Sequence, residues 1–171
     1  IIVNYSNTPV ELLESEQPLL VERYGFVEDS GGPGEYRGGL TLERHLRFLG
    51  DEGIIQVRSD RRDIPPYGLE GGSPGTPSNV RIRRAGGDTE TQPSKFLTTL
   101  RRDDVLEVRL ASGGGYGDPL ARDPERVLDD VREEKITSSH AAEAYGVVIA
   151  GTPPSIDAAA TEKLRAQRRE A

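Results

Sequence analysis

Ser112 to Pro119 reads SGGGYGDP, and three consecutive glycines, one aromatic ring and an aspartate sealed by proline make a shaped loop. Glycine admits close backbone approach and positive φ, while Pro119 holds Asp118 extended. A stretch of this kind offers bare main chain to whatever lies against it. Gly113, Gly114, Gly115, Tyr116 and Asp118 are therefore candidates for substrate or interface contact, with Asp118 equally able to accept hydrogen bonds from the loop amides as an architectural residue. Two other loops share the composition, Asp29 to Gly39 (DSGGPGEYRGG) and Pro65 to Gly75 (PPYGLEGGSPG). In the first, Arg37 has few side-chain neighbours and is free to fork onto a carboxylate. The second carries Tyr67 and is preceded by Arg58, Arg61 and Arg62. Against these readings stand tight turns that pack backbone on backbone, and surface ion pairs.

Other chemistries fit less well. None of the three loops ends in the Gly-Lys-Ser/Thr that handles phosphate and magnesium, and none has the three-glycine spacing of a dinucleotide fingerprint between strand and helix. His45 and His140 are the two histidines. The first falls on a strand face expected to be wet, the second at a helix start, and neither has ligand spacing beside it, so both read as surface residues. Ser30, Ser59 and Ser112 lack a nucleophile-elbow pattern. The chain has no cysteine, which excludes a disulfide framework and thiolate metal sites.

The elements that position these residues are β-rich. Leu20 to Glu28 reads as a strand with Tyr24 and Phe26 on one face and Arg23 on the other. Leu40, Leu42, Leu46 and Phe48 alternate with Thr41, Glu43, His45 and Arg47, as a half-buried strand with a wet face would. Gly50 to Gly53 reads as a hairpin connection to a returning strand, Ile54 to Ser59. Val80 and Ile82 mark a short strand ending at Gly86-Gly87-Asp88, and Phe96 to Leu100 and Val105 to Leu110 are two more, the last with Leu106, Val108 and Leu110 inward. Before them, Ile1 to Val3 is a β-prone triplet, and Glu11 to Glu16 can make a helical turn.

After Asp123 the period changes. Asp123 as N-cap, Pro124 at the first helical position and the stripe Val127, Leu128, Val131 predict an amphipathic helix. A second helix runs from about Ser138 to a left-handed cap at Gly146. The fold class is α+β, a β-rich body with glycine-rich loops followed by two or three short C-terminal helices. Residues 4–150 form the domain and 151–171 a tail, helical or frayed. With 171 residues, 34% of them hydrophobic, 20 glycines and 12 prolines, the core is lean, and the domain is expected to lean on a partner. A net charge of −7 disfavours nucleic acid or an anionic membrane surface as partner. No apolar run approaches the roughly 20 residues of a membrane span. The chain starts at Ile1 and lacks methionine, which reads as a processed product or a piece of a longer polypeptide, intracellular in character.

Asn7-Thr8-Pro9-Val10-Glu11, Asp29-Ser30-Gly31-Gly32 through Arg37-Gly38-Gly39, Pro66-Tyr67-Gly68-Leu69 with Gly71-Gly72 and Gly75, Gly113 to Pro119 with Arg122-Asp123-Pro124, and Tyr145-Gly146-Val147 follow one another in order. Over Asn4 to Val148 this succession resembles the C-terminal part of the hydantoinase B/5-oxoprolinase family, the bacterial hydantoinase B branch above all. The resemblance implies a segment of the large subunit of a cytoplasmic, hetero-oligomeric enzyme that opens cyclic amides such as hydantoins or 5-oxoproline. Its partners would be the N-terminal part of the same large chain and a hydantoinase A-type subunit. ATP and Mg would be held by that A-type partner, any divalent metal by the N-terminal part, and no cofactor by this chain. Phosphorylation would activate an oxygen of the substrate. Related complexes carboxylate acetone or acetophenone, so a ketone carboxylase component is one alternative and a noncatalytic assembly module another. Arg101 to Asp104 departs from the family's Pro-Gly-Asp-like turn, and Ser112 from its threonine-proline pair; no catalytic or metal residue is carried over.

Overall fold

The computed structural model describes residues 7–170; the Ile1 to Val3 triplet lies outside them. Antiparallel sheets followed by helices give the α+β class that the alternating runs and the change of period predict. The chain divides into two compact units. One comprises the chain up to Gly25, Glu43–Ser59 and Asn79–Arg109; the other comprises Phe26–Leu42, Asp60–Ser78 and the chain from Leu110 onward.

The first unit opens with α1 (Val10–Glu16) and contains most of a five-stranded sheet. Its strands are β1 (Leu19–Val27), β2 (Thr41–Phe48), β4 (Asn79–Arg83), β5 (Thr89–Thr91) and β7 (Val105–Arg109), in the order β1-β2-β7-β4-β5. β3 (Glu52–Arg58) and β6 (Lys95–Arg101) form a separate antiparallel pair, with Ile55 opposite Thr98 and Val57 opposite Phe96. Alternation explains the core: Val80 and Ile82 of β4 and Leu106 of β7 are buried with Phe48 and Leu100, and Ile55, Val57 and Phe96 pack against them. The expected hairpin between β2 and β3 is not formed. β2 pairs with β7 while β3 pairs with β6, and Gly50 and Gly53 in the connection lie so close to the Phe48 ring that a Cβ at either would press on it. Leu110, expected inward, is half exposed, and Tyr24 and Phe26 on their face of β1 are exposed as well.

The opposite face of the sheet, expected to be wet, carries partly exposed arginines that close over a buried carboxylate. Glu43, only 1% exposed, takes Arg109 at 2.9 Å, Arg23 and His45 around its carboxylate. Beyond it, Glu107 holds Arg81 and Arg83, and Glu22 holds Arg83 and Arg47. Burying a carboxylate is tolerable only when counter-charges replace the lost water, and cross-strand register supplies them: Glu43 lies opposite Arg109, and Arg81 opposite Glu107.

The second unit has a helical core. α2 (Pro124–Arg132) starts as its sequence requires, with the Asp123 carboxylate accepting from Glu125 N–H, and α3 (Ser138–Tyr145) ends at Gly146 with φ 63°. Thr137, rather than Ser138, caps α3 by accepting from His140 N–H. Val127, Ile136, Ala141, Tyr145 and Val147 are buried together, flanked by Ile149 and Ile156 of the small pair β8 (Ile149–Ala150) and β9 (Ser155–Ile156). α4 (Ala158–Arg169) is anchored to this core where Val148 N–H donates to the buried Thr161 hydroxyl. Among the described residues no helix is long and apolar enough to cross a membrane.

Candidate functional site

All three glycine-rich loops lie in the second unit, and they bind one another through main chain. The Ser112 to Pro119 stretch runs between the other two. Tyr116 exchanges both backbone hydrogen bonds with Tyr36 of the first loop, at 2.9 and 3.0 Å. On its other side Leu69 N–H donates to Gly115 O and Gly117 N–H donates to Leu69 O, at 2.9 and 3.0 Å. Gly113 N–H donates to Gly39 O, Gly32 N–H to Gly113 O, and Gly115 N–H to Ser73 O. The first and second loops also meet directly, Ser73 N–H donating to Pro33 O at 2.7 Å.

Such spacing is open to glycine alone. A Cβ on Gly114 would overlap the Tyr67 carbonyl oxygen, and one on Gly115 the Pro33 carbonyl oxygen. The amides of Gly113 and Gly115 are thus spent within the protein, and Gly115 is buried. Serines complete the weave: Ser30 Oγ accepts from Thr41 N–H, and Ser112 Oγ accepts from Thr76 N–H. Both serines are buried and act on backbone.

Arg37 does fork onto a carboxylate, and the carboxylate is internal. Its Nε and Nη2 donate to the two oxygens of Asp130 on α2, each at 3.1 Å, while Nη1 donates to Gly38 O. Arg122 adds a third donor to Asp130 at 2.8 Å and reaches the Glu35 carbonyl, so both ends of the first loop's tip are tied to α2. Arg165 of α4 donates to the carbonyls of Arg122 and Tyr145. Sequence reasoning missed Asp130 because it sits mid-helix; the one available signal was a carboxylate among Val127, Leu128 and Val131 on the buried side. Asp29 receives Thr137 N–H and hydroxyl at 2.7 and 2.8 Å, a second tie between the first loop and the helices.

Asp118 accepts from Leu120 N–H and caps the 3-10 turn Pro119–Ala121, so it is architectural, although its partner is not a glycine amide. Tyr67 and Tyr116 are exposed at the loop surface. Arg58 ends β3 in the first unit and is exposed. The two histidines, expected at the surface, are partly buried. His45 Nε2 is buried 3.6 Å from Glu43, and His140 Nε2 is buried with its ring edge-on to Tyr145, centroids 6.0 Å apart. Tyr145 is fully buried with no partner for its hydroxyl among the described residues, and burial pushes that hydroxyl up to about 12.

Among the described residues no three His, Asp or Glu side chains gather as metal ligands. The buried carboxylates of Glu43 and Asp130 already carry Arg23 and Arg109, and Arg37 and Arg122, whose charges would repel a cation. The N–H groups of Gly32, Gly38, Gly72, Gly75, Gly113, Gly115 and Gly117 donate to carbonyl oxygens of the loops themselves or of residues beside them, where a phosphate cradle would aim its amides at free space.

Comparison with known proteins gives these features a setting. The model of the Hydantoinase B/oxoprolinase family matches residues 1–119. The B component of a putative D-/L-hydantoinase of Pseudomonas sp. (strain NS671) is 36% identical over 95% of this chain and 27% of its own length. The crystal structure of ATP-dependent caprolactamase from Pseudomonas jessenii superposes with a TM-score of 0.77 at 32% identity, covering 92% of this chain and 28% of that one. A nucleotide-free acetone carboxylase structure superposes with a TM-score of 0.79 at 23% identity, covering 95% and 26%, a likeness of fold. The chain thus spans little more than a quarter of the length of the bacterial and archaeal relatives it matches, and about a tenth of the 5-oxoprolinases.

Proposed function

The chain belongs to the hydantoinase B/oxoprolinase family, and from that premise we propose that it is a segment of the large subunit of a cytoplasmic, ATP-dependent cyclic amide hydrolase. The observation that carries this reading is the match, above 30% identity over 92–95% of this chain, to the B component of a hydantoinase and to the beta component of a caprolactamase. In the assembled enzyme ATP and Mg would be held by a hydantoinase A-type partner and would supply a phosphoryl group to the amide oxygen, with ADP leaving and phosphate released when water opens the ring. The remainder of the large subunit supplies any metal.

This segment's own contribution is positional. Main-chain hydrogen bonds among three loops, locked to α2 by Arg37, Arg122 and Asp130, produce a surface whose shape is set by backbone and not by adjustable side chains. Rigid geometry of this kind is what a reaction needing aligned phosphate, carbonyl and water rewards. The ketone carboxylase alternative draws on fold likeness alone, since the acetone carboxylase is 23% identical.

The test is reconstitution of the full-length large subunit with its A-type partner, followed by ADP release in the presence of hydantoin, 5-oxoproline or caprolactam. Ring-opened product with ADP in equal amounts is expected. Bicarbonate-dependent consumption of acetone, with no lactam opened, would move the protein to the carboxylases, and no stimulation by either class would leave the assembly role alone.

A further inference from the structure

The glycine loops turn their small residues toward one another, and the large residues that alternate with those glycines point away. Tyr36, Tyr116 and Leu69 come from three different loops, yet they are neighbours: Tyr36 and Leu69 bridge Tyr116 from either side. Residues paired in this way project to the same face. The two tyrosine rings lie 6.2 Å apart, and the side chains of Tyr36, Tyr116 and Leu69 are 55%, 49% and 53% exposed. Their rings and methyls take no part in the main-chain weave, which would form around alanine at each position. A row of large apolar groups on rigid backbone, left about half exposed, marks a contact surface.

The border of the row is acidic. The Glu35 carboxylate lies beside Gly117, Glu70 follows Leu69, and Asp118 is two residues past Tyr116. Among the described residues none of these three carboxylates is in an ion pair, and Arg122 reaches only the Glu35 carbonyl. A flat row rimmed by carboxylates does not suit a small cyclic amide, which needs a concave site. It suits a polypeptide with an apolar centre and cationic flanks.

We propose that Tyr36, Tyr116 and Leu69 seat a segment from the rest of the same large subunit, apolar in its middle and bearing Lys or Arg beside it to meet Glu35 and Glu70. This rests on reading the chain as part of a longer polypeptide, for which the relatives' length is the support: the match covers 27% of one and 28% of another. An intramolecular seat explains why the row needs no large area, because a tethered segment docks at high effective concentration.

The experiment places the photoreactive residue p-benzoylphenylalanine at position 116 of the full-length large subunit, and at position 36 in a second protein, each assembled with its A-type partner. After irradiation the crosslinked peptide is identified by mass spectrometry. A peptide of the same polypeptide, outside this 171-residue segment and with Lys or Arg within a few positions of its apolar residues, is the expected product. Glu35→Gln combined with Glu70→Gln should lower its yield on the order of threefold, as loss of partly exposed ion pairs does. Crosslinking to the A-type partner, to a second copy or to bound lactam overturns the proposal, and so does no crosslink from either position; an unchanged yield in the double variant overturns its charged part. Lactam-stimulated ADP release is measured on the unmodified complex. A same-chain crosslink without ADP release defeats the hydrolase reading and leaves the seat standing, whereas ADP release with a crosslink elsewhere defeats the seat alone.

Discussion

Arg37 and Asp130 are 93 residues apart in sequence, and their fork, shared with Arg122, is where the glycine loops are fixed to the helices. Asp130 is 5% exposed. Replacing it by alanine leaves two guanidinium groups buried without their counter-charge, a loss expected to cost about 3–5 kcal/mol. Arg37→Lys keeps the charge and loses the two-pronged geometry, so its cost should fall between wild type and Asp130→Ala. Urea denaturation midpoints check the order; equal stability of Asp130→Ala and wild type would remove the clamp from the account. Tyr145→Phe makes the opposite case. Its hydroxyl is buried without a partner among the described residues, so deleting that oxygen should leave the midpoint unchanged or raise it. At this scale the sequence told half the story. Arg37, set among glycines, advertised a need for a carboxylate, but nothing local could name Asp130, since the partner is chosen by how the helix packs.

Elements show the same division between what pattern carries and what only folding decides. Alternation marked Val80, Ile82 and Leu106 as inward and the caps Asp123 and Gly146 as helix ends, because each of these follows from local geometry. Strand partners did not follow. β3 left β2 for β6, and the face of β2 carrying Glu43 and His45 was closed by arginines from β1 and β7, which a single strand's pattern cannot foresee. The glycine loops were legible as close-packed backbone, though their partners turned out to be one another. Gly115→Ala must drive a methyl into the Pro33 carbonyl, and a loss of more than about 4 kcal/mol, or insoluble protein, is expected. Gly39→Ala is the control: nothing lies within 4 Å of the added carbon, and the change should stay within about 0.5 kcal/mol. If the two variants melted alike, the close approach would be irrelevant. The turn Arg101 to Asp104 yields a pH prediction. Burial pushes the Asp104 carboxyl up, but Arg101 N–H, the Arg84 guanidinium and Ala85 N–H outweigh it and hold the group below the usual aspartate range. The unfolded chain, titrating near pH ~3.9, then binds the proton more readily. The stabilisation is complete above that value and is lost as pH falls through the lower folded one. The stability gap between wild type and Asp104→Asn should therefore narrow as pH falls from about 6 to about 3; a gap that widens contradicts the assignment.

For the molecule as a whole, two kinds of force hold two kinds of structure, and salt should separate them. The sheet's charged layer depends on Arg23 and Arg109 gathered around Glu43, with side chains 59% and 46% exposed, and on Arg81 and Arg83 around Glu107 at 40% and 39%. The glycine loops depend on neutral N–H to carbonyl hydrogen bonds at 2.7–3.3 Å. Raising salt from about 0.1 M to about 1 M shortens the screening length from roughly 10 Å to roughly 3 Å, which weakens attraction between partly exposed ions and leaves neutral hydrogen bonds almost untouched. Hydrogen exchange followed by mass spectrometry can read both in one sample. Peptides spanning 41–48 and 105–109 should exchange faster in high salt, while peptides spanning 112–118 keep their protection. The apolar core beneath β2 and β7 limits the first effect to the outer face, so the acceleration should be largest at Glu43, His45 and Arg109 and smallest at Leu46 and Leu106. Equal acceleration in the glycine loop would mean that its order is borrowed from charge rather than made by its own main chain.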